Sequence, residues 1–272
     1  MNDYQQVSIA VDDAEKRELL VALLADSGYE GFEETGDGLH AFIPADLYDA
    51  RLLEDLLAAQ GLSFSVASIA PQNWNAIWES GFEPVAVPGF VAIRAGFHPP
   101  YAGVQHEIII TPKMSFGTGH HATTYMVVEA MGQLDFVGKK VLDFGTGTGV
   151  LAILAEKLGG GEVLAIDNDE WSIDNATENV QANGCSHIQI QWAEKVPTGT
   201  QFDIVLANIN LNVIKDNLSA IAALCQPGAQ VLLSGFLPED EAILRPLLTG
   251  LGFRDIVTKQ KNNWLCLWVT AP

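Results

Sequence analysis

Beyond residue 139 short apolar runs alternate with amphipathic stretches so regularly that the chain must form an open, mostly parallel α/β sheet. The spacing predicts strands over 140–144, 162–167, 187–193, 203–207 and 229–234, interleaved with helices over 149–158, 171–183, 211–225 and 239–251. Two further strands, 254–258 and 264–270, follow with no helix between them. They predict a hairpin, and hence a seven-stranded sheet with one antiparallel edge strand. Sheets of this doubly wound, Rossmann-like kind take their ligands at the carboxyl ends of the strands, which says where to look for chemistry.

The front of the chain has another rhythm. Residues 5–11 alternate polar and apolar side chains as a half-buried strand does. Asp12 or Asp13 can cap a helix running to about residue 27, with Leu19, Leu20, Leu23 and Leu24 on one face. A strand over 39–43, a helix over 47–60 and a strand over 64–69 complete a small α+β unit of ferredoxin-like type. The stretch 73–79 sets Trp74, Ile77 and Trp78 at helical spacing. It reads either as a core stripe or as a rigid connecting helix. Strands are expected next over 82–87, 90–95 and 106–111. The resulting division is a recognition domain over 1–70, a linker helix over 71–84 and a catalytic domain over 85–272.

Charge narrows the function. Fourteen Lys and Arg face 34 Asp and Glu, for a net charge of −20. Residues 1–70 alone hold 14 acids and 3 bases, a net of −11. Such a surface repels phosphate backbones and attracts basic partners, so a nucleic-acid substrate is not expected. Cys185, Cys225 and Cys266 are odd in number and far apart, which fits reduced thiols in the cytoplasm. No apolar run is long enough to cross a bilayer, and residues 1–11 lack a basic leader before an apolar run, so neither membrane insertion nor secretion is expected.

Four groups of residues carry candidate chemistry. Asp143-Phe144-Gly145-Thr146-Gly147-Thr148-Gly149 joins an apolar strand to a helix. Its glycines let the backbone turn tightly against a ligand. They fall at alternate positions and follow an acid; a carboxylate there suits a cofactor bearing an ammonium group and repels a pyrophosphate. That favours S-adenosylmethionine over a dinucleotide. Asp167 ends the next strand, 22 residues past Gly145. It can accept hydrogen bonds from both ribose hydroxyls of an adenosine cofactor, or cap the following helix. Asn208, at the carboxyl end of strand 203–207, can accept a hydrogen bond from an incoming amine, help fix the cofactor, or cap the next helix, a role open to Asn210 as well. Phe116-Gly117-Thr118-Gly119-His120-His121-Ala122-Thr123-Thr124 places small residues and hydroxyls at a helix start, suited to the methionine end of the cofactor. The paired histidines lack a third ligand at metal spacing, so no metal is expected.

Taken together, the Trp-rich stretch 73–79, Thr111-Pro112, the Phe116–Thr124 motif, Asp143-x-Gly145-x-Gly147-x-Gly149 and Ala207-Asn208-Ile209 resemble the PrmA family of class I methyltransferases. The resemblance covers nearly the whole chain. It implies methylation of lysine side chains and the N-terminal amine of protein eleven of the large ribosomal subunit, free or on the subunit, with S-adenosylmethionine as cofactor. It also implies cofactor contacts at Thr124, Gly145, Asp167 and Asn208, with Asn208 as the catalytic residue. Two departures stand out. Thr146 and Thr148 replace the family's Cys and Ser, which keeps the side chains small. Asn210-Leu211 replaces its Leu-Ala beside the target amine. A methyltransferase acting on another protein, a small molecule or RNA, a non-catalytic cofactor-binding adaptor, and a dehydrogenase are the competing readings.

Overall fold

The computed structural model describes residues 4–11, 13–35, 38–58, 60–69, 83–111 and 121–272. The linker helix expected over 71–84 and the motif residues 116–120 fall almost wholly outside them. The chain divides into two compact units, Met1–Gly81 and Phe82–Pro272.

In the first unit the chain runs β1 (Tyr4–Ala10), α1 (Ala14–Asp26), β2 (Gly31–Thr35), β3 (Gly38–Pro44), α2 (Ala50–Ala58) and β4 (Phe64–Ile69). The strands form an antiparallel sheet in the order β2-β3-β1-β4. Val7, Ile9, Leu39, Ala41 and Ile43 alternate onto one face and meet Leu20, Leu24, Leu53 and Leu57 of the helices. Each such leucine contributes about 1.5–3 kcal/mol by leaving water. Asp13 caps α1 by accepting from the Lys16 N–H at 3.0 Å. Leu19, expected on the buried face, is 48% exposed, because one helix face contacts the sheet and Leu20 and Leu24 fill it. Strand β2 has no counterpart in the sequence reading. Its Gly-Phe-Glu-Glu-Thr composition is poor strand material, and it exists by pairing with β3.

The second unit holds two sheets. The larger has the order β10 (Ile188–Trp192), β9 (Glu162–Asp167), β8 (Lys140–Phe144), β11 (Phe202–Asn208), β12 (Cys225–Phe236), β14 (Trp264–Thr270), β13 (Arg254–Lys261). One antiparallel strand is present, but not at the edge. It is β14, which runs antiparallel to both β12 and β13 and lies between them. After the last helix the chain skips one sheet position, lays down β13 parallel to β12, and the hairpin returns β14 into the gap.

Alternation along the strands divides the core in two. Val141, Val163, Ala165, Ile204, Leu206 and Leu232 face a layer containing α3 (Ala122–Met131), α4 (Val150–Lys157) and α5 (Glu170–Ala182). Leu142, Ile166, Val205, Ala207, Val231 and Leu233 face α6 (Leu211–Leu224) and α7 (Glu241–Gly250). Over the first layer lies a three-stranded sheet of β5 (Val85–Val87), β6 (Val91–Ala95) and β7 (His106–Ile110). Its Val91, Ile93, Ile108 and Ile110 join the same core. Strands β6 and β7 are parallel without an intervening helix. The loop between them is held by buried Arg94, which donates to Glu107 at 2.8 Å and to the His98 carbonyl at 2.9 Å. Among the described residues no helix is long and apolar enough to cross a membrane.

Candidate active site

At the end of β8 the chain reverses into α4 through Gly145, Gly147 and Gly149, with φ of +77°, +53° and +79°. Side chains rarely adopt this left-handed conformation, so the alternate spacing of the glycines is a backbone requirement. The N–H groups of Gly145 and Thr146 donate to the Ile166 carbonyl at 2.9 and 3.0 Å, fastening the turn to β9. At Gly145 there is also no room: a Cβ would lie 2.0 Å from Ile209 Cγ2, just past the end of β11.

Asp143 is fully buried beneath this turn. Its Oδ2 accepts from Thr146 Oγ1 at 2.6 Å and from the Ala152 N–H at 3.2 Å. Burial pushes its carboxyl up to about 7, against those two donors and with help from the Asp167 charge. The neutral acid is thus favoured by folding. Its contribution is complete below the unfolded value of 3.8 and is lost as pH rises through the folded value near 7. Some three units correspond to about 4 kcal/mol. Asp143→Asn should therefore flatten the pH dependence of stability. In urea unfolding of the two proteins, the variant should gain about 4 kcal/mol relative to the parent between about pH 4 and about pH 8. A constant difference across that range would show that Asp143 does not titrate in it.

Asp167 ends β9 beside the turn. Its Oδ2 accepts from the Gly147 N–H at 2.9 Å and its Oδ1 from the Asp169 N–H at 3.1 Å. It does not cap α5; Asp169 does, accepting from Trp171 and Ser172 N–H groups at 3.3 and 3.2 Å. One alternative for Asp167 is thereby removed, and each oxygen keeps a lone pair for a further donor.

Asn208 ends β11, buried to 7% exposure. Its Nδ2 donates to Thr124 Oγ1, on the first turn of α3, at 3.1 Å. Its Oδ1 is buried with no hydrogen-bond partner among the described residues. Helix α6 is capped instead by Asn210, whose side chain accepts from the Val213 N–H at 3.1 Å. Asn208 is therefore free of the capping role, and Asn210, at the departure from the family pattern, has a structural one. His121 is the N-cap of α3, with Nδ1 2.7 Å from Thr123 Oγ1 and its ring edge-on to Trp264 at 4.5 Å. Burial holds its pKa below the usual histidine range.

The fold therefore brings Thr124, Gly145, Asp167 and Asn208 together at the carboxyl edge of β8, β9 and β11. Two buried oxygens there, Asp143 Oδ1 and Asn208 Oδ1, lack partners among the described residues. Native interiors rarely leave such an atom unpaired, and Asn208 Oδ1 fits a ligand that brings an N–H donor. The sequence reading missed the supports of this edge. Ile209 is held by its N–H bond to the Ser234 carbonyl at 3.0 Å, and by Gly235, where a Cβ would lie 2.2 Å from the Ile209 carbonyl oxygen. Asn175, Asn179 and Asn183 line one face of α5; their spacing of four residues was the available signal.

Comparisons with known proteins identify the family. The sequence model of the family described as ribosomal protein L11 methyltransferase (PrmA) matches residues 3–272. A ribosomal protein L11 methyltransferase of Porphyromonas gingivalis is 40% identical over 93% of this chain and 90% of its own length. One from Chlorobaculum parvum is 38% identical over 93% and 92%. The crystal structure of ribosomal protein L11 methylase from Lactobacillus delbrueckii subsp. bulgaricus superposes with a TM-score of 0.65 at 26% identity, covering 70% of this chain and 99% of that one. The glycine turn, the acid on the neighbouring strand and the Asn–Thr pair thus sit in a chain that belongs to the ribosomal protein L11 methyltransferase (PrmA) family and is an S-adenosylmethionine-dependent methyltransferase.

Proposed function

We propose that this chain methylates ribosomal protein L11, on lysine side chains and the N-terminal amine, with Asn208 receiving the target nitrogen. The observation that carries this is the division of labour within one amide. Its Nδ2 is engaged by Thr124, which leaves the buried Oδ1 as an acceptor for an amine N–H. An amine held by its hydrogen presents its lone pair in a fixed direction, and such positioning supplies much of the catalysis when the electrophile is already reactive.

Thr124, Gly145, Asp167 and Asn208 would hold the cofactor, which supplies a methyl group on an electrophilic sulfonium. Gly145 gives close backbone approach, and Asp167 offers both oxygens to ribose hydroxyls. A lysine must be neutral to react, against a free pKa of ~10.4. The buried surroundings of Asn208 and Thr124 disfavour the ammonium and so promote the reactive form.

The first unit, in this reading, is a ferredoxin-like recognition domain over 1–70, joined through the linker segment 71–84 to a catalytic domain over 85–272. Its net charge of −11 suits a basic protein and disfavours a nucleic-acid substrate, and the work is placed in the cytoplasm.

Labelled S-adenosylmethionine incubated with unmethylated L11 should place label in that protein, and mass spectrometry should map it to amines; label in RNA alone would refute the target. Deleting residues 1–70 should abolish methylation of the protein while leaving affinity for S-adenosylhomocysteine within about twofold. Normal turnover by the truncated chain would end the recognition role.

A further inference from the structure

Strand β7 pairs with β6 on one side, and its other edge is met by no strand among the described residues. It is met by side chains of α5. Asn183 Oδ1 accepts from the Ile109 N–H at 2.9 Å and its Nδ2 donates to the Ile109 carbonyl at 2.6 Å. Two residues on, Asn179 Oδ1 accepts from the Thr111 N–H at 2.7 Å. The two amides bond successive edge positions, Ile109 and Thr111, as a neighbouring strand's peptide groups would.

Asn179 does something Asn183 does not. Its Nδ2 donates to the Thr148 carbonyl at 2.8 Å, inside the glycine turn, and to Asn175 Oδ1 at 2.7 Å. Both amide protons and the oxygen are engaged, and the residue is fully buried. The turn also lies close to α5 at Gly149, where a Cβ would be 3.3 Å from that of Ala176.

We propose that Asn179 is a positioning residue for methyl transfer: one side chain fixes the Thr148 carbonyl of the cofactor turn and the Thr111 amide together. The glycine turn and the end of β7 are thereby set against each other through a single amide, and cofactor affinity depends on it. This rests on the reading of turn 145–149 as the cofactor seat.

The test uses the full chain and S-adenosylhomocysteine. In calorimetry, Asn179→Ser and Asn179→Asp should each weaken binding about tenfold or more, the effect of roughly one buried partner left unmatched. Asn183→Leu removes bonds to the same strand without touching the turn. It should keep the parent affinity within about twofold even where its melting temperature falls as far. In the unaltered protein, hydrogen exchange should show the Thr111 amide slowed by the ligand along with the amides of the turn. Unchanged affinity in the Asn179 variants, equal weakening by Asn183→Leu, or no slowing at Thr111 would overturn the proposal. Failure of the parent chain itself to bind would instead overturn the seat on which it rests.

Discussion

Gly145→Ala should lower affinity for S-adenosylhomocysteine by about a hundredfold or more and reduce the melting temperature as well. Two independent costs add at this position. Its φ of +77° places an alanine in the left-handed region, at about 1–2 kcal/mol. The new Cβ would also lie 2.0 Å from Ile209 Cγ2, and overpacking typically costs about 1–3 kcal/mol. Neither side can give way easily. Ile209 is β-branched, its N–H is bonded to the Ser234 carbonyl, and its own carbonyl abuts Gly235. The turn is fastened to Ile166. Any relief must displace either the turn or the Asn208–Ile209 segment, and both border the cleft. Gly138→Ala is the informative control. Its φ is +69° but nothing lies within 4 Å of a Cβ, so it should show the conformational cost alone and bind normally. Equal behaviour of the two variants would remove steric contact from the account.

Asn208→Ala should lower kcat about a hundredfold or more while weakening cofactor binding about tenfold or less. On the proposed reading the larger effect falls on kcat, because the lost Oδ1 would be the acceptor for the amine, and removal of one such preorganised group commonly costs about 10²–10³ in rate. The smaller effect reflects Thr124 Oγ1, left without its 3.1 Å donor, and the loss of one wall of the cofactor site. Asn208→Asp keeps an acceptor and lets Thr124 donate in return, so it should retain more activity than alanine. Steady-state kinetics with both substrates varied, alongside calorimetry, separates these quantities. A variant whose only defect is a raised KM for the cofactor would assign Asn208 to binding alone.

What could be read from the chain was what depends on near neighbours in sequence. The glycine turn, Asp167 and Asn208 all lie at strand ends that hydrophobic alternation locates, and open α/β sheets place ligands there. The helix caps Asp13 and Asn210 follow from local chemistry in the same way. What could not be read depends on pairing across the fold. Strand β2 owes its form to β3 rather than to its own residues. The place of β14 is decided by which gap a hairpin fills, and both an edge and an interior position satisfy the same sequence pattern. The asparagines of α5 are ordinary polar residues until β7 is laid beside them. Arg94, 6% exposed, reads as a surface cation until Glu107 is opposite it.

The position of β14 has a consequence for biosynthesis. The strand that backs β12, with Ser234 Oγ bonded to the Leu265 carbonyl at 2.6 Å, is the last of the sheet to be synthesised. Until the ribosome has released residues as far as Thr270, β12 is paired with β11 alone, and the Ser234–Gly235 segment that supports Ile209 is backed on one side only. A nascent chain can thus shape the glycine turn early but cannot finish the cleft, so competence arrives in one late step rather than growing with length.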